Sequence, residues 1–217
     1  MLPAISAVAT VRKATVCLLN GYEPESSAGS RGSFKVDYNL LMGALEAVQR
    51  KPTAAELEQL FLQLLDDERF QAVGPWELND QGEIVVSPVT GRHNDTQTTL
   101  AAELKRQLGG KAWGEQGIRR PDGAPMVPDV MWSERAFFIA HQDHGLLPNA
   151  PPLCVEVMSI SNSLDQLRAK CKTYLTLGAI EAWIIEPTTQ TVEIHDANGI
   201  AAVTQFKFDF APFWAAL

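Results

Sequence analysis

Cysteine is scarce: Cys17, Cys154 and Cys171 are the three present in 217 residues. An odd number without paired metal-ligand spacing argues against a disulfide-stapled scaffold and a thiolate metal site, so they read as reduced cytosolic thiols. Basic residues are short too, since 18 Lys and Arg against 26 Asp and Glu leave a formal charge of −8 and a pI near 5.0. A chain of that balance repels polyanions overall, so any phosphate-binding surface must be a local patch. Long apolar runs are missing as well. The most apolar N-terminal stretch, Leu2 to Leu19, is interrupted by Arg12 and Lys13, which breaks a secretory signal or membrane span. A cytoplasmic protein is expected.

What is present suffices for a core: 46% of residues are hydrophobic and 20% charged. The length allows one full domain and a modest extension. Residues 21–36 mix Gly, Ser, Pro and charge without periodicity, as a linker does, and Leu40, Leu41, Ala44, Leu45 and Val48 suggest a short helix over 38–49. Residues 1–50 therefore read as a partly flexible N-terminal helical extension, and 51–217 as the folded domain.

Pro52, Thr53 and Glu56 mark a helix start, and Leu57, Leu60, Phe61, Leu64 and Leu65 give it an apolar stripe ending near Asp67. A hairpin follows, Trp76–Leu78 and Glu83–Val86 around Asn79–Gly82, closed by Pro88. Thr90 caps a second helix to Leu108, with His93, Gln97, Leu100, Leu104 and Leu108 on its inward face and Gly109-Gly110 as its stop. Ala112–Ile118, Met126–Trp132 and Leu153–Met158 read as neighbouring strands of one sheet. Asn162 or Ser163 caps a third helix running to Leu177, and Gly178 ends it. Ala182–Ile185 and Thr191–His195 supply two more strands around a turn at Pro187–Gln190. The pattern is α/β (α+β).

Two carboxylates carry the chemistry. Asp129 follows Pro128 at a strand start, and Glu156 sits inside the apolar run Leu153–Met158. A carboxylate there is expensive to bury unless paired or metal-bound. Adjacent strands would let the two converge on one Mg²⁺, which favours one or two carboxylates, waters and substrate phosphate. Lys170, Lys172 and Tyr174 on the next helix could place an ammonium group beside them. Such a trio suits phosphodiester hydrolysis, the metal polarising phosphate and the lysine steadying water or developing charge.

The segments PMVPDVMW, PPLCVEVMSISNS, DQLRAKCKTYLTLGAIEAWIIEP and TVEIHD, with WELNDQGEIVVSPVTGRHN upstream, resemble the Uma family of restriction-endonuclease-like proteins over Trp76 to Asn198. That family looks like a branch of the PD-(D/E)XK nuclease superfamily. The resemblance implies a restriction endonuclease-like mixed central sheet flanked by helices and a Mg²⁺-dependent endonuclease ancestry, with Mn²⁺ as a substitute. It places Asp129 at the motif Asp, Glu156 at the (D/E), and the backbone carbonyl of Val157 near the metal. The motif lysine is absent: Met158 stands two positions after Glu156. In this branch the lysine sits on the next helix four residues before a tyrosine, the spacing of Lys170 and Tyr174, with Lys172 as fallback. His93 matches a frequent family histidine, and Gln97 lies one turn later.

Each signal has a blander reading. Asp is common at turns, surface lysines are usually solvated, and a histidine at a helix start usually bonds to backbone. His141, His144 and His195 carry no ligand spacing, and Glu181 and Glu186 read as structural. Lys105, Arg106, Lys111, Arg119 and Arg120 are candidates for a phosphate-binding patch lining the cleft. The expectation is a homodimeric, Mg²⁺-dependent endonuclease acting on DNA through Asp129, Glu156 and Lys170. The alternative is a degenerate nuclease-fold module that binds nucleic acid or a protein partner without hydrolysis.

Overall fold

Thr53 starts α1 (Ala54–Leu65) through a reciprocal cap: its hydroxyl accepts the Glu56 N–H at 3.3 Å while the Glu56 carboxylate accepts the Thr53 N–H at 2.9 Å. The box satisfies two donors that a helix start leaves open. Leu57, Phe61 and Leu64 are buried at helical spacing, in a small cluster with Leu78, Ala124 and Leu146. The hairpin of β1 (Trp76–Leu78) and β2 (Ile84–Val86) packs on that cluster. Its turn closes because Asn79 Oδ1 accepts the N–H groups of Gln81 and Glu83, both at 2.9 Å.

The structure is a computed structural model describing residues 50–68, 76–86 and 90–217. The expected linker at 21–36, the helix over 38–49, Pro88 and Cys17 lie outside the described residues. Thr53 to Leu217 form one compact unit.

Thr90 caps α2 (Gly91–Leu108) by accepting the His93 N–H at 3.3 Å. Gly109 and Gly110 end it with φ of 70° and 63°, a region glycine enters without penalty. The chain continues through β3 (Lys111–Trp113), β4 (Gly117–Ile118), β5 (Val130–Ser133), α3 (Arg135–His141), β6 (Leu146–Leu147) and β7 (Leu153–Val157). Then come α4 (Leu164–Thr176), β8 (Glu181–Glu186), β9 (Thr191–Asp196), β10 (Gly199–Ala201) and α5 (Phe210–Ala216).

Six strands form one sheet in the order β10-β9-β8-β7-β5-β3. Only β7 and β8 run parallel; the other neighbours are antiparallel. The parallel pair needs a crossover, and α4 supplies it. Period-two alternation divides the strand residues between the faces. Val130, Trp132, Val155, Val157 and Trp183 pack with Leu100 and Leu104 of α2 and Phe213 of α5. Met131, Cys154 and Ile184 pack with Leu167, Cys171 and Tyr174 of α4 on the other face. The fold is thus the expected mixed central sheet flanked by helices.

Local expectations hold best at helix starts. Ser163 is the α4 cap, accepting the Gln166 N–H at 3.3 Å. The stretch Ala112–Ile118 is corrected: it breaks at Glu115, whose φ is 63°. β3 joins the large sheet, whereas β4 pairs in parallel with β6 in a separate two-stranded sheet. Met126 likewise makes only an isolated bridge, to Ile118. His141 is the last residue of α3.

Glu181 is structural, as expected. Its buried carboxylate accepts from Trp183 Nε1 (2.6 Å), Thr204 Oγ1 (2.7 Å) and the Gln205 N–H (2.6 Å), which together discharge the cost of burying it. Cys154 and Cys171 are free and buried. Among the described residues, no helix is long and apolar enough to cross a membrane.

Candidate active site

The register of β5 against β7 pairs Val130 with Val155 and Met131 with Cys154. Continued by one residue, it sets Asp129 across from Glu156, on the face shared by Met131 and Cys154. Both acids line a cleft of about 440 Å³ with His93, Gln97, Glu77 and Lys170. Backbone chemistry fixes Asp129 in place: its Oδ2 accepts the Val157 N–H at 2.6 Å. In extended backbone the carbonyl of a residue lies on the same side as its N–H. The Val157 carbonyl therefore also faces the β5 side.

The other oxygen, Asp129 Oδ1, lies 2.8 Å from Gln97 Nε2 and 3.3 Å from His93 Nε2. Gln97 Nε2 is also 3.0 Å from His93 Nε2. If His93 accepts there, its proton sits on Nδ1, a buried atom with no partner among the described residues. If Nε2 carries the proton instead, it meets the Gln97 amide donor to donor. Either tautomer leaves this corner one partner short.

Glu156 is 2% exposed. Its Oε1 accepts from Tyr174 O–H at 2.5 Å and its Oε2 from Lys170 Nζ at 3.2 Å. Burial raises its carboxyl to a pKa of about 8, a shift that Lys170 and Tyr174 oppose and that the nearby Asp129 and Glu77 charges reinforce. Burial also lifts the Tyr174 phenol well above its usual range, helped by Glu156. For Lys170 burial acts downward, yet Glu156 and Glu77 outweigh it and hold the ammonium above the ordinary lysine value. Lys170 is thus a fixed cation and no general base near neutrality.

This donor set fits a hard divalent cation. Asp129 and Glu156 offer oxygen ligands side by side, and among the described residues carboxylates outnumber cations on the cleft wall: Glu77, Glu115, Asp129 and Glu156 against Lys170. No cluster of three or more His, Cys, Asp or Glu converges on a metal position among the described residues, so the fit is to an ion that completes its shell with water. The two lysines lie differently: Lys170 lines the cleft, whereas Lys172 is exposed and does not.

The structure does not bring the expected basic patch to the cleft. None of Lys105, Arg106, Lys111, Arg119 and Arg120 lines it. Lys105 and Arg106 sit in the last turn of α2, about 18 Å along the axis from His93. Arg106 pairs with Glu103, Arg119 with Glu58, and Arg120 with Asp80 and Asp122, while Lys111 rests over the Phe138 ring. Acidic neighbours take up most of these cations. Glu77 was not anticipated as part of the site, although its place on an alternating strand facing two acids and a lysine is plain in the fold.

Gly114 supports the acid pair from below, since a Cβ there would stand 2.7 Å from the Asp129 carbonyl oxygen. Gly114→Ala is expected to cost about 1–3 kcal/mol of stability, read as a fall in melting temperature, by pushing the Asp129 backbone away from β3.

Residues 57–210 match the Uma2 family, whose description is "Putative restriction endonuclease". The chain belongs to the Uma2 family. No curated protein matches it. A crystal structure from Anabaena variabilis, described as "a putative nuclease belonging to DUF820", aligns with a TM-score of 0.55 at 19% identity, covering 76% of this chain and 93% of that one. At that identity the likeness concerns the fold, and it agrees with the nuclease-like core of this Uma2 protein.

Proposed function

We propose that residues 51–217 of this Uma2 protein form a Mg²⁺-dependent endonuclease domain that hydrolyses DNA phosphodiester bonds. The observation that carries the reading is that Asp129, just before β5, and Glu156 of the adjacent β7 line one cleft, with Lys170 bonded to Glu156. Asp129 and Glu156 would hold the ion, with the Val157 carbonyl as a further oxygen. Bound there, the ion would supply Lewis acidity to a phosphate oxygen and lower the pKa of a water.

The chain's own residues do the positioning. Gln97 and the Val157 N–H grip Asp129 from two sides, so its carboxylate keeps one orientation. Tyr174 and Lys170 hold Glu156 and oppose the protonation that burial favours. Lys170 presents a permanent positive charge towards the attacking water or the charge developing on phosphate. His93, on the Asp129 side, meets Asp129 and Gln97 through Nε2, and its Nδ1 is buried without a partner among the described residues. Cutting both strands of a duplex is simplest for two copies, and we include a homodimer in the proposal.

Supercoiled plasmid incubated with the protein and Mg²⁺ or Mn²⁺ should be converted to nicked circles, and EDTA should stop conversion. Equal conversion in EDTA would remove the metal from the reading. One observation favours a second reading: among the described residues Lys170 is the one lysine or arginine on the cleft wall, a thin provision for holding phosphates. A non-hydrolytic binding module should show no calorimetric Mg²⁺ or Mn²⁺ binding that depends on Asp129 and Glu156.

A further inference from the structure

Lys170 carries a long side chain whose free rotation must be restrained before its charge can serve a defined place. A lysine held at one contact retains most of that freedom. Its bond to Glu156 is the longer of two, at 3.2 Å; the shorter, at 2.6 Å, goes to Glu77 Oε1 on β1. Glu77 comes from outside the six-stranded sheet, on a hairpin with its own anchors. Leu78 is buried in the α1 cluster, and Asp80 accepts the Ala124 N–H at 3.0 Å and binds Arg120. The hairpin is therefore seated without help from Lys170, and Glu77 is delivered to the cleft rim by a support independent of α4.

We infer that Glu77 is a positioning residue: a hairpin carboxylate that fixes the Lys170 ammonium between itself and Glu156, in the place where the hydrolytic site needs a cation. The inference rests on the proposed nuclease reading. Glu77 is nearly half exposed, and an ion pair of that kind contributes little to stability. A structural role and a positioning role therefore separate cleanly, because only the second moves catalysis much more than folding.

The experiment compares wild type, Glu77→Gln, Lys170→Met and the double variant in Mg²⁺-dependent cleavage of a labelled duplex. Melting temperatures and the ¹H–¹⁵N signal of the Lys170 ammonium are measured on the same proteins. Glu77→Gln should lower kcat by about tenfold to a hundredfold and leave KM within about twofold, with melting unchanged to about 2 °C. It should also abolish the slowly exchanging Lys170 ammonium signal. In the Lys170→Met background Glu77→Gln should have no further effect on kcat, as expected for two groups acting as one unit.

An ammonium signal that survives Glu77→Gln, or an equal loss of kcat with and without Lys170, overturns the inference. A wild type that cleaves while Glu77→Gln cleaves equally overturns Glu77 alone. A wild type that fails to cleave overturns the nuclease reading and the catalytic part of this inference with it.

Discussion

Asp129→Asn is expected to reduce plasmid nicking in Mg²⁺ by at least about a hundredfold, measured as the initial rate of supercoiled loss. The substitution keeps the side chain's size and removes its charge. It also changes what the side chain can accept. Asp129 serves the Val157 N–H on one oxygen and Gln97 on the other, whereas asparagine has a single oxygen and an NH₂ that faces one of those donors. One buried donor then goes unpaired, at a cost of about 1–3 kcal/mol, so circular dichroism should confirm that the variant remains folded. Nicking by Asp129→Asn at the wild-type rate would show that these acids do not form the hydrolytic centre. The binding-module reading would then be the one to pursue.

Glu156→Gln should separate stability from activity. The Glu156 carboxyl rises from 4.5 when unfolded to about 8 when folded, so the folded state holds a proton that the unfolded state has released throughout that window. The contribution of this group to the stability of the metal-free protein is therefore fully present below about pH 4.5 and is lost as pH rises towards 8, on the order of 5 kcal/mol in all. Glutamine mimics the protonated acid and cannot lose that proton. Urea denaturation between pH 5 and 9 in EDTA should show a decline for wild type and a nearly level line for Glu156→Gln. At pH 9 the variant should melt roughly 10 °C or more above wild type while failing to nick plasmid. A divalent cation should flatten the wild-type profile, because a bound ion favours the charged carboxylate. Parallel profiles for the two proteins in EDTA would show that Glu156 does not carry this titration.

The parts of the fold legible in the sequence are those written in near neighbours. The Thr53–Glu56 and Ser163–Gln166 boxes each join residues three apart in sequence, and both helices begin where those residues place them. The continuous apolar run Leu153–Met158 likewise exposes Glu156 as an anomaly within a buried strand. Other features depend on contacts distant in sequence. Nothing in Ala112–Ile118 announces the turn at Glu115, because the pairing of Gly117 and Ile118 with Leu146 and Leu147 decides it. α3, β10 and α5 escaped notice because each is short and takes its place from packing. Spacing left Lys170 and Lys172 nearly equal; the rotation of α4 on the sheet separates them. Glu77 was hidden for the same reason, since its partner lies 93 residues further on. That the five basic candidates do not line the cleft, and that Arg106, Arg119 and Arg120 face acids, was not visible in the sequence, which gives the positions of cations and not their neighbours in space.

The bond from Val157 to Asp129 ties the acid pair to strand registration. Sliding β5 by one position along β7 would move the Asp129 side chain to the opposite face from Glu156. A nascent or misaligned molecule therefore lacks the juxtaposed acids altogether, and any capacity to damage nucleic acid would arise only once the sheet has locked. On the proposed nuclease reading, correct folding is itself the safety catch.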